Sequence, residues 1–108
     1  MSEDSLAPGV GGRIVFYRRR WDEPRGDDYD AWGAATYYFR VVDGLVVQQI
    51  ERYDDGTALC YDLDHSEDEF GMLTSEVLST TEWSPYEIDV TTFATETSGP
   101  KYNRADQS

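Results

Sequence analysis

Cysteine is nearly missing from this chain: Cys60 stands alone among 108 residues. No intramolecular disulfide is therefore available, and a secreted disulfide scaffold is excluded. Long apolar runs are missing too, since none approaches the roughly 20 residues that a bilayer-spanning helix requires. The first residues, Met1-Ser2-Glu3-Asp4, lack the basic and apolar regions of a secretory signal. These absences together predict a cytoplasmic protein.

Cations are scarce. Nine Lys and Arg face 22 Asp and Glu, for a formal net charge of −13. The shortage is uneven, because residues 53 to 100 hold twelve acids and no Lys or Arg. Direct binding to nucleic acid needs cations that replace condensed counterions, so that class is disfavoured, as is an anionic membrane surface. Histidine occurs once, as His65, and a general base with nothing to activate or orient it makes no catalytic set. It reads as a surface-loop histidine.

What remains is a composition that folds. Apolar residues make up 39% and aromatics 14%, far more aromatic than a disordered acidic tail, and the length suits one domain with one core. Residues 1–12, with Pro8-Gly9 and Gly11-Gly12, read as a flexible lead-in, residues 13–97 as the domain, and residues 98–108 as a flexible tail.

Within the domain, Arg13 to Trp21 reads as a strand covered on both faces, because Ile14, Val15, Phe16 and Tyr17 are consecutive. Asp22 to Asp30 reads as a loop. Ala35–Val42 and Leu45–Arg52 flank Asp43-Gly44, a type I′ turn signature that asks for positive φ at both residues. An uninterrupted register pairs Val41 with Val46, Phe39 with Gln48 and Tyr37 with Ile50 on a core face, and puts Glu51 opposite Thr36 on the other. Asp54-Asp55-Gly56 suits a second hairpin leading into a strand at Thr57–Asp62. Asp64–Gly71 reads as an acidic loop, with Thr74 available to cap a short helical turn. Asp89 is positioned to cap a helix with Ile88 and Phe93 as its staple, although the β-branched Val90, Thr91, Thr92 and Thr95 also suit an edge strand.

The candidate motifs have bland readings beside the sharp ones. Asp62, Asp64, Ser66 and Asp68 space like the start of a calcium loop, but Glu67 and Leu73 occupy positions where an EF-hand needs Gly and Glu, so no metal site is assigned. Cys60, inside a strand, reads as a structural thiol. Arg18-Arg19-Arg20 favours pairing with the chain's own carboxylates, and strand alternation sends Arg19 to the face opposite its neighbours. In Trp83-Ser84-Pro85-Tyr86 the Ser-Pro pair forces a turn that carries two large rings, either as an interface anchor or folded over the sheet edge.

Residues 35–71, ATYYFRVVDGLVVQQIERYDDGTALCYDLDHSEDEFG, resemble a family of small, acidic, uncharacterised bacterial proteins. Its members share an aromatic strand, a Gln-Ile-Glu strand, a Tyr-Asp-x-Gly turn, an acidic Asp-Glu-aromatic-Gly segment and a short C-terminal helix. The resemblance implies that helix here, with Val90-Thr91-Thr92 in place of its usual Glu residues, and implies no activity. In size and charge such proteins look similar to immunity proteins of bacterial toxin systems, by analogy only.

The expected architecture is thus α+β, an antiparallel meander of about four strands with a short C-terminal helix on one face. The expected function is a non-enzymatic acidic module, without a cofactor, that neutralises or regulates a basic protein partner such as a nuclease-type toxin. Glu67, Asp68, Glu69 and Phe70 are the expected contact residues, with Trp83 and Tyr86 as anchors. A self-associating structural domain and a metal-dependent hydrolase using the Asp62–Glu69 acids are the other two readings.

Overall fold

A computed structural model describes residues 13–98; the expected flexible lead-in at 1–12 and nearly all of the tail lie outside them. Strands β1 (Ile14–Trp21), β2 (Ala35–Val42), β3 (Leu45–Tyr53) and β4 (Ala58–Asp62) run as an antiparallel meander. A minimal hairpin follows, β5 (Glu67–Asp68) with β6 (Gly71–Met72), then a single helical turn α1 (Thr80–Trp83). The two-residue β7 (Glu87–Ile88) pairs with β1, and helix α2 (Val90–Glu96) ends the described chain. The main sheet has the order β4-β3-β2-β1-β7. The fold is α+β with five strands in its main sheet, one more than the meander alone.

Turn chemistry sets this order. Asp43 and Gly44 have φ of 52° and 85°, the left-handed pair that a type I′ turn requires. Gly56 has φ of 97°, and the Tyr53 and Gly56 amides close the second hairpin onto Thr57 O and Tyr53 O. Asp89 Oδ1 accepts the Thr92 amide at 2.7 Å, so the cap outweighs the β-branched residues behind it and the segment is a helix. The other expected helical turn forms further along, at Thr80–Trp83 after Ser79, and not behind Thr74. Thr74 instead gives its N–H to Gln49 Oε1.

One correction reorganises the sheet. The β2–β3 register starts at Val41↔Val46 as expected but shifts between Arg40 and Val41, so Arg40 pairs with Gln48, Phe39 with Gln49, Tyr38 with Ile50 and Tyr37 with Glu51. This bulge leaves Val47 unpaired and turns the rest of β3 over. Ile50, expected beside Tyr37, joins Tyr38 and Phe93 in a cluster under α2, with Phe16, Cys60 and Ile88 around it. Gln49 and Glu51 take its place on the opposite face and are buried.

That opposite face is covered by an irregular strap, residues 63–86. It leaves β4, puts Phe70 against Trp32, Tyr53, Leu59 and Tyr61, and brings Met72 O and Thr74 N to the Gln49 amide. It then drops Leu78 onto Val15, Val41 and Val46, and Trp83 onto Tyr17 and Phe39, before joining β7. The strap crosses every strand of the meander. Both sheet faces are therefore buried, one by a helix and the other by largely irregular chain rich in aromatic rings.

Candidate functional site

The strap face holds the polar chemistry. Glu51, only 5% exposed, accepts the Tyr53 hydroxyl at 2.5 Å and the Gln49 amide at 2.7 Å. Burial pushes its carboxyl above the ordinary glutamate range despite those two donors. Burial, reinforced by the Glu51 charge, also pushes the Tyr53 and Tyr37 phenols up. Arg25 reaches in from the β1–β2 loop, donating to Tyr53 Oη at 3.1 Å, to Asp27 at 2.9 Å and to Phe70 O. Its guanidinium lies over Tyr29, Trp32 and Tyr53. This cluster lines an open cavity of about 310 Å³ with Phe70, Gly71 and Met72. Arg25, Asp27, Gln49, Glu51 and Tyr53 in it each hydrogen-bond to another residue of the chain. It pins loop, strap and sheet together.

Beside it, sharing Tyr37 and Gln49, is a groove of about 370 Å³. Trp21, Tyr37, Phe39, Leu78 and Trp83 form its apolar walls, with Arg19 and Glu76 as charged lining residues. Arg19 lies 5.0 Å from the Trp21 ring, 5.1 Å from Trp83 and 4.6 Å from Tyr86. As strand alternation requires, Arg18 and Arg20 point to the other face. Arg18 pairs with Glu96 at 2.7 Å, and Arg20 with Asp22 and Asp54 at 2.7 Å each. Those bonds hold the Asp54 and Glu96 carboxyls below their ordinary values.

The expected contact residues fare differently. Glu67 and Glu69 are exposed on the β5–β6 hairpin. Asp68 is largely turned inward, accepting the Tyr61 hydroxyl at 2.9 Å and the Phe70 amide at 2.8 Å and meeting His65 Nε2 at 3.0 Å. It orders the hairpin. Phe70, 4% exposed, is core and unavailable to a partner, because Tyr29, Trp32 and Tyr53 need its ring to complete their cluster. Trp83 and Tyr86 are half-buried, folded over the sheet edge and facing each other with ring centres 5.5 Å apart.

His65 stacks on Tyr61 at 5.8 Å. Asp62 Oδ1 accepts the Asp64 and His65 amides, as an ordinary aspartate turn does. Among the described residues, no group of three or more His, Cys, Asp or Glu is arranged to hold a metal ion. The same residues contain no helix long and apolar enough to cross a membrane. The class defined here is an α+β domain with a five-stranded antiparallel sheet and a strapped face. No protein-family model, curated protein or solved structure matches the chain.

Proposed function

We propose that the protein is a cytoplasmic binding module that neutralises or regulates a basic protein partner, in the manner of an immunity protein acting on a nuclease-type toxin. The observation that supports this reading is the state of the strap's carboxylates. Glu67, Glu69, Glu76 and Glu82 are exposed and form no ion pair among the described residues. Of the arginines on β1 and the loop after it, Arg18 and Arg20 are paired with Glu96, Asp54 and Asp22 and Arg25 with Asp27, while Arg19 lies against the rings of Trp21, Trp83 and Tyr86. The negative potential of the strap is thus left for a partner. Such a field accelerates encounter with a cationic cleft and competes with phosphate for the same Arg and Lys side chains.

The contact set narrows to Glu67, Glu69 and Glu76, with Trp83, which lines the same groove as Glu76, and Tyr86 as the ring contacts. Asp68 and Phe70 are left out because they hold the hairpin together. Replacing Glu67, Glu69 and Glu76 by Ser, with Asp68 kept, slows association with the partner recovered from native-cell extract about tenfold at low salt. It also flattens the salt dependence of the on-rate. Stopped-flow mixing at low and high salt reads both, and an unaltered on-rate overturns the reading.

A further inference from the structure

The edge of the sheet beside β1 is open for half its length, and we propose that it accepts an extended segment of a partner protein as a sixth strand. β7 covers β1 only at Phe16 and Tyr17. Continued by two residues, its register would bring Pro85 opposite Arg19, but the chain leaves the edge through the 3-10 turn at Ser84–Tyr86. Proline has no N–H for a ladder, so this departure is built into the residues.

Ladder alternation fixes which backbone groups are exposed by it. The Asp43 amide donates to Arg13 O, which marks Arg13 and every second residue after it as bonded toward β2. Arg18 and Arg20 therefore aim their backbone groups the other way. Beyond the β7 pairing, Arg18 C=O, Arg20 N–H and Arg20 C=O face an edge with no strand beside it among the described residues.

Side chains define the occupant. An antiparallel strand laid here sends the residues opposite Arg19 and Trp21 over the strap face, where the 370 Å³ groove is walled by Trp21, Tyr37, Phe39, Leu78 and Trp83. Trp21 is 49% exposed, a large ring left at the mouth. Aromatic or aliphatic side chains suit these positions. Residues opposite Arg18 and Arg20 meet guanidinium groups already paired with Glu96, Asp54 and Asp22, a rim without net positive charge, which favours uncharged polar side chains such as Thr. The occupant is therefore an extended segment alternating apolar and uncharged polar residues. A second copy is disfavoured, because two-fold pairing at this edge would put Arg18-Arg19-Arg20 against itself. The inference does not depend on the strap carboxylates.

The probe is a capped five-residue peptide, Thr-Phe-Thr-Phe-Thr, added to the full chain and followed by amide NMR shifts and hydrogen exchange. The expected result is a shift and slowed exchange at the Arg20 amide, with quenching of Trp21 fluorescence. Affinity should fall about tenfold or more when the peptide's edge-facing amides are N-methylated. Arg20→Pro should abolish binding, whereas Arg20→Ala, which loses the same Asp22 and Asp54 pairs but keeps the N–H, should retain it and shows what losing those pairs does to the melting temperature. Trp21→Ala, which leaves the backbone alone, should weaken binding at least fivefold. Replacing Glu67 and Glu69 by Ser should leave peptide binding intact, which separates this site from the proposed acidic one. The inference is overturned if the Arg20 amide is unmoved, or if the N-methylated peptide binds equally well. It is also overturned if that amide is already protected without peptide, whether in a concentration-dependent way or in a way lost on deleting residues 99–108.

Discussion

Glu51 is a carboxylate on the buried face of a central strand, held by Tyr53 and Gln49 and making no ion pair among the described residues. Its folded-state carboxyl is raised by burial, so the folded protein binds that proton more tightly than the unfolded chain does. The associated stability is complete below the ordinary glutamate value and is lost as pH rises through the higher folded-state value. Glu51→Gln removes this titration. The wild type's stability relative to the variant should thus fall by at most about 1.4 kcal/mol per pH unit across that window and then level off. Chemical denaturation from acidic to neutral pH checks it, and a difference that is flat or grows with pH refutes the assignment. Asp54 and Glu96, held low by Arg20 and Arg18, act in the opposite sense and lose their contribution as pH falls. Glu51 was legible in the sequence only as half of a solvent-facing pair with Thr36. The bulge at Arg40/Val41 reverses that face, and no local propensity announces it. The one signal was a Gln-x-Glu-x-Tyr spacing that places Gln49, Glu51 and Tyr53 on one side of a strand, whichever side that is.

At the scale of elements, legibility followed hydrogen-bond chemistry. The Asp43-Gly44 turn, the Gly56 turn and the Asp89 cap each need specific residues to satisfy specific backbone groups, and each is where its residues indicate. The strap was not legible, because its order comes from distant contacts: Leu78 N–H on Gly44 O, Thr74 N–H on Gln49, Phe70 beneath Tyr29 and Trp32. None of these leaves a period in the sequence. Helix α2 tests how far a cap governs an element. It has seven residues, four of them poor helix formers, and one buried ring, Phe93. Asp89→Ala should lower the melting temperature by about 5 °C, whereas Asp89→Asn, which keeps the acceptor, should change it little. Equal losses for both variants would mean that charge, not the capping bond, holds the helix start.

At the scale of the whole molecule, the excess of acids was fully legible in composition, but its placement was not. Net charge of −13 destabilises a compact state by self-repulsion. The exposed pairs of Arg18 and Arg20 relieve that repulsion on the helix face and at the β1 edge, while Glu67, Glu69, Glu76 and Glu82 on the strap have no such relief among the described residues. Two salt effects then oppose each other. Screening weakens the arginine pairs, which as surface ion pairs contribute little, and it also weakens a larger repulsion spread over the strap. Repulsion wins this comparison. Raising NaCl from about 10 mM to about 1 M, which shrinks the Debye length from about 30 Å to about 3 Å, should therefore raise the melting temperature of the parent chain. The rise should be smaller when Glu67, Glu69 and Glu76 are Ser, because the repelling charges have been removed already. Scanning calorimetry across that series decides the matter. A melting temperature that falls with salt would mean the arginine pairs outweigh the strap, and the negative surface proposed to meet a cationic partner would then be largely cancelled by the protein's own charges.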